Sequence, residues 1–429
     1  MKSQQIRRWF YAIAPALLLS SLLAALSSQA VALGAPSVTF IVNSNNDAND
    51  GTCDVTHCSL REAINAANAS AAVVDTITFN IGGGGTQTIA PTSALPAITD
   101  PATIDGTTQP GYAGAPLIEL DGTNAGAGVN GLNISAENST VKSLVINRFG
   151  GSGIVLTTGG GNVIVGSFIG TNVAGDADLG NGMDGIQIAS GSGLNIIGGS
   201  RPAGPCVSPC NLISGNDDVG ILISGGSGNL IRGNLVGTDV NGTSPLGNTF
   251  DGIGIVGSIH NMIGGPSKNV GNIIAFNGFH GVSVREDAST ENQILSNSIY
   301  GNAQLGIDLG NDDVPTPNDD DDVDTGPNNN QNYPRIAWAT SWDRRVRVTL
   351  DSAPNTTFLI QVFETQPCDR NRYGEGKKLI GSKNVTTNAT GYVALTLKVK
   401  RFVKNRQITA TATDPNYNTS EFSKCRRAS

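Results

Sequence analysis

The chain reads as an all-β protein: a right-handed parallel β-helix opened by a short capping helix, followed by a small antiparallel β-sandwich. Three observations predict this. Glycine supplies 55 of 429 residues, while charged residues make up only 14 % and aromatics 5 %. Against an average of about 7 % glycine, that composition suits many short strands joined by tight turns. The chain also repeats itself: Ile169-Gly170-Thr171-Asn172-Val173 matches Val236-Gly237-Thr238-Asp239-Val240, and Asp184-Gly185-Ile186 matches Asp251-Gly252-Ile253. The offset is the same in both, since 237 − 170 and 252 − 185 each give 67. Finally, the texture changes after residue 334, where longer alternating strands begin.

A shorter unit runs beneath the long repeat. Asn211-Leu212-Ile213 leads to Gly220-Ile221, Asn272-Ile273-Ile274 to Gly281-Val282, and Asn292-Gln293-Ile294 to Gly306-Ile307. Asn and Gly tolerate the left-handed backbone of a sharp corner. A coil of about 22 residues fits, making the long offset roughly three coils. Val38 to Gly310 would then hold about twelve coils and extend some 50–60 Å at ~4.8 Å per coil. Stacked coils bury an Ile/Val/Leu column, and corner Asn side chains can ladder. A sandwich of hairpins would instead be dominated by two-residue turns.

The N-terminus reads as an export signal over residues 1–32. Lys2, Arg7 and Arg8 precede an apolar run from Ala12 to Leu26, and Ala30 and Ala32 set an A-x-A site with cleavage after Ala32. The Sec route is expected, with a twin-arginine signal as the alternative. The run is too short for a permanent span, and no second hydrophobic segment follows. Residues 38–80 form the N-terminal cap and first coils. There Ser59-Leu60-Arg61-Glu62 reads as a capping box, and Leu60, Ala63, Ile64 and Ala67 share one face of a helix over 59–69. The repeats occupy 81–310, an Asp/Asn-rich linker or calcium loop 311–334, and the sandwich 335–429. Its seven strands are expected at 335–340, 346–351, 357–364, 378–386, 392–399, 406–413 and 420–424. Six cysteines in an exported chain suggest disulfides, and spacing proposes Cys53–Cys58, Cys206–Cys210 and Cys368–Cys425. Zinc is the alternative for the two close pairs.

Cys58-Ser59-Leu60-Arg61-Glu62-Ala63-Ile64-Asn65-Ala66-Ala67-Asn68, with Cys53 before it and Asp75-Thr76-Ile77-Thr78-Phe79 after it, resembles the signature of the bacterial CSLREA domain. Thr108-Gln109-Pro110-Gly111-Tyr112, the Ile-Gly-Thr repeats and Asp324-Thr325-Gly326-Pro327-Asn328-Asn329 are similar to bacterial secreted proteins with right-handed β-helix repeats. The resemblance implies a β-helix of the pectin-lyase-like class. It implies no activity, because fold alone does not carry function.

Three constellations bear on chemistry. Asp320, Asp322 and Asp324 with Gly326 resemble the alternating ligands and sharp turn of a calcium loop, and calcium is the expected cofactor. No Glu follows at the spacing of an EF-hand, and a solvated acidic linker is the alternative reading. Asp217 and Asp218, with Arg232, His280 and Arg285, are similar to the paired acids of polygalacturonases and the arginine of pectate lyases. At 22 residues per coil, however, Asp218 and His280 stand three coils apart, too far for one site. The inserted loops 171–184 and 238–251 supply Thr171, Asn172, Asp184, Thr238, Asp239 and Asp251 as candidate ligand-binding residues, or as turn-shaping ones.

The net charge of −8 argues against nucleic acid as a partner. Trp338 and Trp342 lie in the C-terminal part, which leaves the repeats without an indole platform for sugar rings. The sequence shows no phosphate loop, G-x-S-x-G or H-E-x-x-H. The expectation is a secreted or cell-surface monomer, structural or adhesive and non-catalytic, binding extracellular polysaccharide. The alternative is a polysaccharide lyase or glycoside hydrolase acting on an acidic polysaccharide such as pectin.

Overall fold

The computed structural model describes residues 37–70, 74–201, 204–267, 269–310, 312–365, 367–369 and 371–429. The expected export signal lies outside the described residues. Three parallel sheets dominate. The first has nine strands, from Thr39–Val42 to Gln293–Leu295; the second has eight, from Gln87–Ile89 to Ser298–Tyr300; the third has seven, from Leu132–Ile134 to Ile307–Leu309. Every strand pairs in register with its counterpart one coil away, which makes a parallel β-helix. Alternation decides which side chains go inside: in Ile186–Ile188 and Ile221–Ser224 the isoleucines are buried and the residues between them half-exposed. One interior column runs Ile164, Ile197, Ile231, Ile263 and Ile294.

Those column members stand 31 to 34 residues apart, which corrects the expected 22-residue coil. The matches at offset 67 lie two coils apart: Ile169 pairs with Ile213, and Ile213 with Val236. Nine coils replace the expected twelve, and eight steps of ~4.8 Å give about 40 Å rather than 50–60 Å. The short unit falls short of a whole coil because the inserted loops and the Cys206–Cys210 turn lengthen coils without adding a strand.

Each corner is tied by an asparagine ladder. The amide of Asn195 donates to Oδ1 of Asn229, Asn229 to Asn261, and Asn261 to Asn292, each at 2.9 Å. A second ladder runs Asn211, Asn234, Asn272, Asn297. A third runs Asn181, Asn216, Asn248, Asn277, Asn302 and ends on Glu375 of the sandwich. A buried amide at a chain reversal satisfies the backbone groups that the turn leaves unpaired.

The N-terminal end is closed by the helix Leu60–Ala69. Ser59 Oγ accepts from the Glu62 amide, Glu62 reaches back to the Ser59 amide, and Leu60, Ala63, Ile64 and Ala67 join the β-helix core. At the other end a three-stranded and a four-stranded antiparallel sheet pack around Val346, Val348, Phe358, Ile360, Ile408 and Ala410. Residues 420–424 do not form the expected seventh strand; Arg426–Arg427 does. The 420–423 segment bonds irregularly to Ala410 and Ala412, while Phe422 turns into the β-helix core and Glu421 caps the Leu309 amide. The six cysteines pair as Cys53–Cys58, Cys206–Cys210 and Cys368–Cys425, which leaves no thiolate for zinc. Among the described residues no helix is long and apolar enough to cross a membrane.

Candidate functional site

Each third-sheet strand is entered through a corner residue followed by glycine. The corner positions stack coil over coil as Ser152, Asp184, Val219, Asp251, His280 and Leu305. Their carbonyls accept in series from Gly153 to Asp184, Gly185 to Val219, Gly220 to Asp251, Gly252 to His280 and Gly281 to Leu305. The glycines are required by the close approach: a Cβ on Gly252 would lie 2.4 Å from Ile274 and 2.7 Å from the Gly281 oxygen. Asp251 and His280 are therefore one coil apart, and Asp218, just before Val219, is two coils from His280. The expected three-coil separation is corrected, for the same reason that the coil count is.

Asp251 is the hub. Its Oδ1 accepts from the His280 amide at 2.9 Å and faces His280 Nδ1 at 3.1 Å. Its Oδ2 accepts from Ser283 Oγ at 2.7 Å and from Arg285. Burial pushes this carboxyl up, but the bonds from His280 and Ser283 and the Arg285 charge prevail and hold it below the ordinary value. Burial disfavours charge on His280 too, yet the bond to Asp251 and the carboxylates of Asp308 and Asp313 raise it overall. Its Nε2 lies 3.0 Å from Asp313 and 3.7 Å from Asp308. On the two preceding coils the balance reverses. Burial and the charge of Asp218 push Asp184 up to about 7, against the Val219 amide and Arg285. Asp218 is raised by burial, opposed by Arg285. One guanidinium is thus felt by three carboxylates on successive coils.

Exposure divides the cluster in two. Asp184, Asp251, His280 and Ser283 are buried, while the Arg285 side chain keeps 29 % of its surface and Asp313 43 %. Beside them the outward face is low, because Gly254 stands between Leu222 and Ser283.

The other sequence candidates lie elsewhere. Asp217 lies close enough to Asp178 for their charges to interact, and Arg232 ends a first-sheet strand. Thr171 and Thr238 donate to the next residues' carbonyls, and Asn172 and Asp239 accept from amides within their own loops. Asp184 and Asp251 alone among the six loop candidates reach the corner. Ser283, Asp308 and Asp313 were missed; the signal for Asp308 was a charge between Ile307 and Leu309, where alternation points outward.

The acidic loop is also rearranged. Asp319, Asp322 and Asp324 bring carboxylate oxygens within 4.8 Å of one another. Asp320 is outside the group and exposed, since Asp321 and Asp322 take left-handed backbone and turn it away. Asp322 is pushed up to about 6 by burial, with Asp319 and Asp324 adding to the rise.

No protein-family model matches the chain, and no curated protein does. Among solved structures it is similar to the A-module of mannuronan C-5 epimerase AlgE6 from Azotobacter vinelandii, at 14 % identity over 58 % of this chain and 84 % of that one, TM-score 0.28. It is also similar to ORF18 of Geobacillus virus E2, at 12 % identity over 89 % and 86 %, TM-score 0.26. A third is tailspike protein gp49 from Acinetobacter baumannii bacteriophage Fri1, a capsular polysaccharide depolymerase, at 8 % identity over 81 % and 69 %, TM-score 0.16. Likeness at this level carries no argument about the role of this chain.

Proposed function

We propose that the chain is an extracellular or cell-surface β-helix module, structural or adhesive, that binds polysaccharide at the third-sheet corner without cleaving it. The observation that carries this is the anchoring of Arg285. A buried carboxylate, itself braced by His280 and Ser283, fixes a half-exposed guanidinium at the surface. A planar donor fork held in one orientation loses little entropy on hydrogen bonding to sugar hydroxyls. Asp218, which feels its charge, and Asp313, against His280, supply acceptors. Five carboxylates (Asp184, Asp218, Asp251, Asp308 and Asp313) surround one Arg and one His, so a neutral glycan fits better than a polyanion. Three disulfides accord with an oxidising compartment, and export with a CSLREA-type cap belongs to the same proposal.

Glycoside hydrolysis is the second reading, favoured by carboxyls shifted in opposite directions, as an acid and a base require. Burial weighs against it: Asp184 is 1 % exposed and Asp251 0 %, with both Asp251 oxygens already accepting. The test is glycan binding by Arg285→Ala. A loss of about tenfold in affinity, with folding retained, is expected from removing a charge-assisted fork; unchanged affinity contradicts the assignment. We also propose calcium as the ion for Asp319, Asp322 and Asp324, since a hard dication suits three converging carboxylates.

A further inference from the structure

A cavity of about 620 Å³ lies where the second sheet meets the sandwich. Its walls come from three separate parts of the chain: the strand ends carrying Ile273 and Tyr300, the inserted loop at Gly242 and Thr243, and sandwich residues from Glu364 to Arg406. Its charge is opposite to that of the molecule. Lys377, Lys378 and Arg406 line it against one carboxylate, Glu364, for a net +2, in a chain whose net charge is −8. A concave wall of one sign focuses potential and concentrates counter-charged ligands.

The lining is ordered. Glu364 lies 3.5 Å from both Lys378 and Arg406, holding the two cations side by side. The Lys377 ammonium sits 3.9 Å above the Tyr300 ring. That ring is fixed by its hydroxyl, which donates to the Gly242 carbonyl at 3.2 Å, and by the edge of Phe276, centroids 5.4 Å apart. Lysine brings three donors and here spends few of them on protein. The volume falls within the roughly 300–1,000 Å³ of small-molecule sites and far exceeds the needs of a single inorganic anion. Ile273, the Tyr300 ring and the hydroxyls of Thr243 and Ser298 add the mixed apolar and polar surface that a sugar ring presents.

We propose that this junction cavity binds an anionic sugar unit, a uronate whose carboxylate is held by Lys377, Lys378 and Arg406. The site is separate from the third-sheet corner and stands or falls independently of it. The test is calorimetric titration of the full chain with a galacturonate trisaccharide, the matching neutral galactose trisaccharide, a sulfated galactose trisaccharide and inorganic phosphate. In the Arg285→Ala background, which removes the corner site, the uronate should bind, more weakly as salt rises, and the neutral sugar should not. Lys377→Ala with Lys378→Ala, both exposed and so compatible with folding, should weaken uronate binding about tenfold. Arg285→Ala should leave it unchanged. Equal binding of the neutral trisaccharide in the Arg285→Ala background, equal competition by phosphate, tighter binding of the sulfated sugar, or unaltered affinity in the double variant would each overturn the proposal.

Discussion

Asp184 and Asp251 occupy the same corner two coils apart, and their surroundings separate them. Asp251 is supplied with donors and stays ionised; Asp184 receives one amide at 3.3 Å and is pushed up to about 7. A raised carboxyl stabilises the fold fully below its unfolded value of 3.8, and that contribution is lost as pH rises to about 7. Asp184→Asn should abolish this loss, flattening the stability curve between pH 4 and 7 by on the order of 4 kcal/mol. Chemical denaturation of both proteins across that range checks it; parallel curves would contradict the environment described. The residue types at this corner were legible in the sequence, and five of them were singled out: Asp184, Asp218, Asp251, His280 and Arg285. Their adjacency was not, because it depends on coil length, and a wrong coil length assigned them to different sites.

At the scale of elements, the ladders and the capping helix were legible because each has a local signature: Asn before an apolar pair, and Ser three residues before Glu. Within the third ladder, Asn248 accepts from the Asn216 amide and side chain and donates to Asn277 and Ile213. Asn248→Ala leaves these buried groups unpaired and should cost on the order of 3 kcal/mol. Exposed Asn384→Ala should cost less than about 0.5 kcal/mol. Equal effects in urea unfolding would show that the ladder is not what holds the corner. The acidic turn was half legible, since alternation cannot foresee two left-handed residues in succession. Calcium should raise the melting temperature, and EDTA or Asp319→Ala with Asp324→Ala should remove the rise, while Asp320→Ala should preserve it. No rise in wild type would dispose of the calcium proposal.

Over the whole molecule, a stack of coils has two open ends, and the sequence offered an evident cap for only one. The sandwich is the other. Glu375 ends a ladder, the Gly376 carbonyl accepts from Ile299, and Phe422 packs edge-on against Phe363 within the β-helix core. Phe422→Ala should cost about 3–5 kcal/mol and lower the unfolding of sandwich and β-helix together, in one transition. Two separable transitions would mean that the sandwich is an appendage. This docking was illegible because it rests on two side chains and one carbonyl whose partners lie more than 50 residues away.

The central claim, that a rigid stack presents an anchored arginine to a glycan without cutting it, is tested most directly by a polysaccharide panel. The purified protein would be incubated with neutral and acidic polysaccharides, with and without calcium, scoring both retention and new reducing or unsaturated ends. Retention on a neutral glycan with no new ends, and its loss in Arg285→Ala, is the predicted result. New chain ends that disappear in Asp184→Asn would contradict it and make the corner an active site.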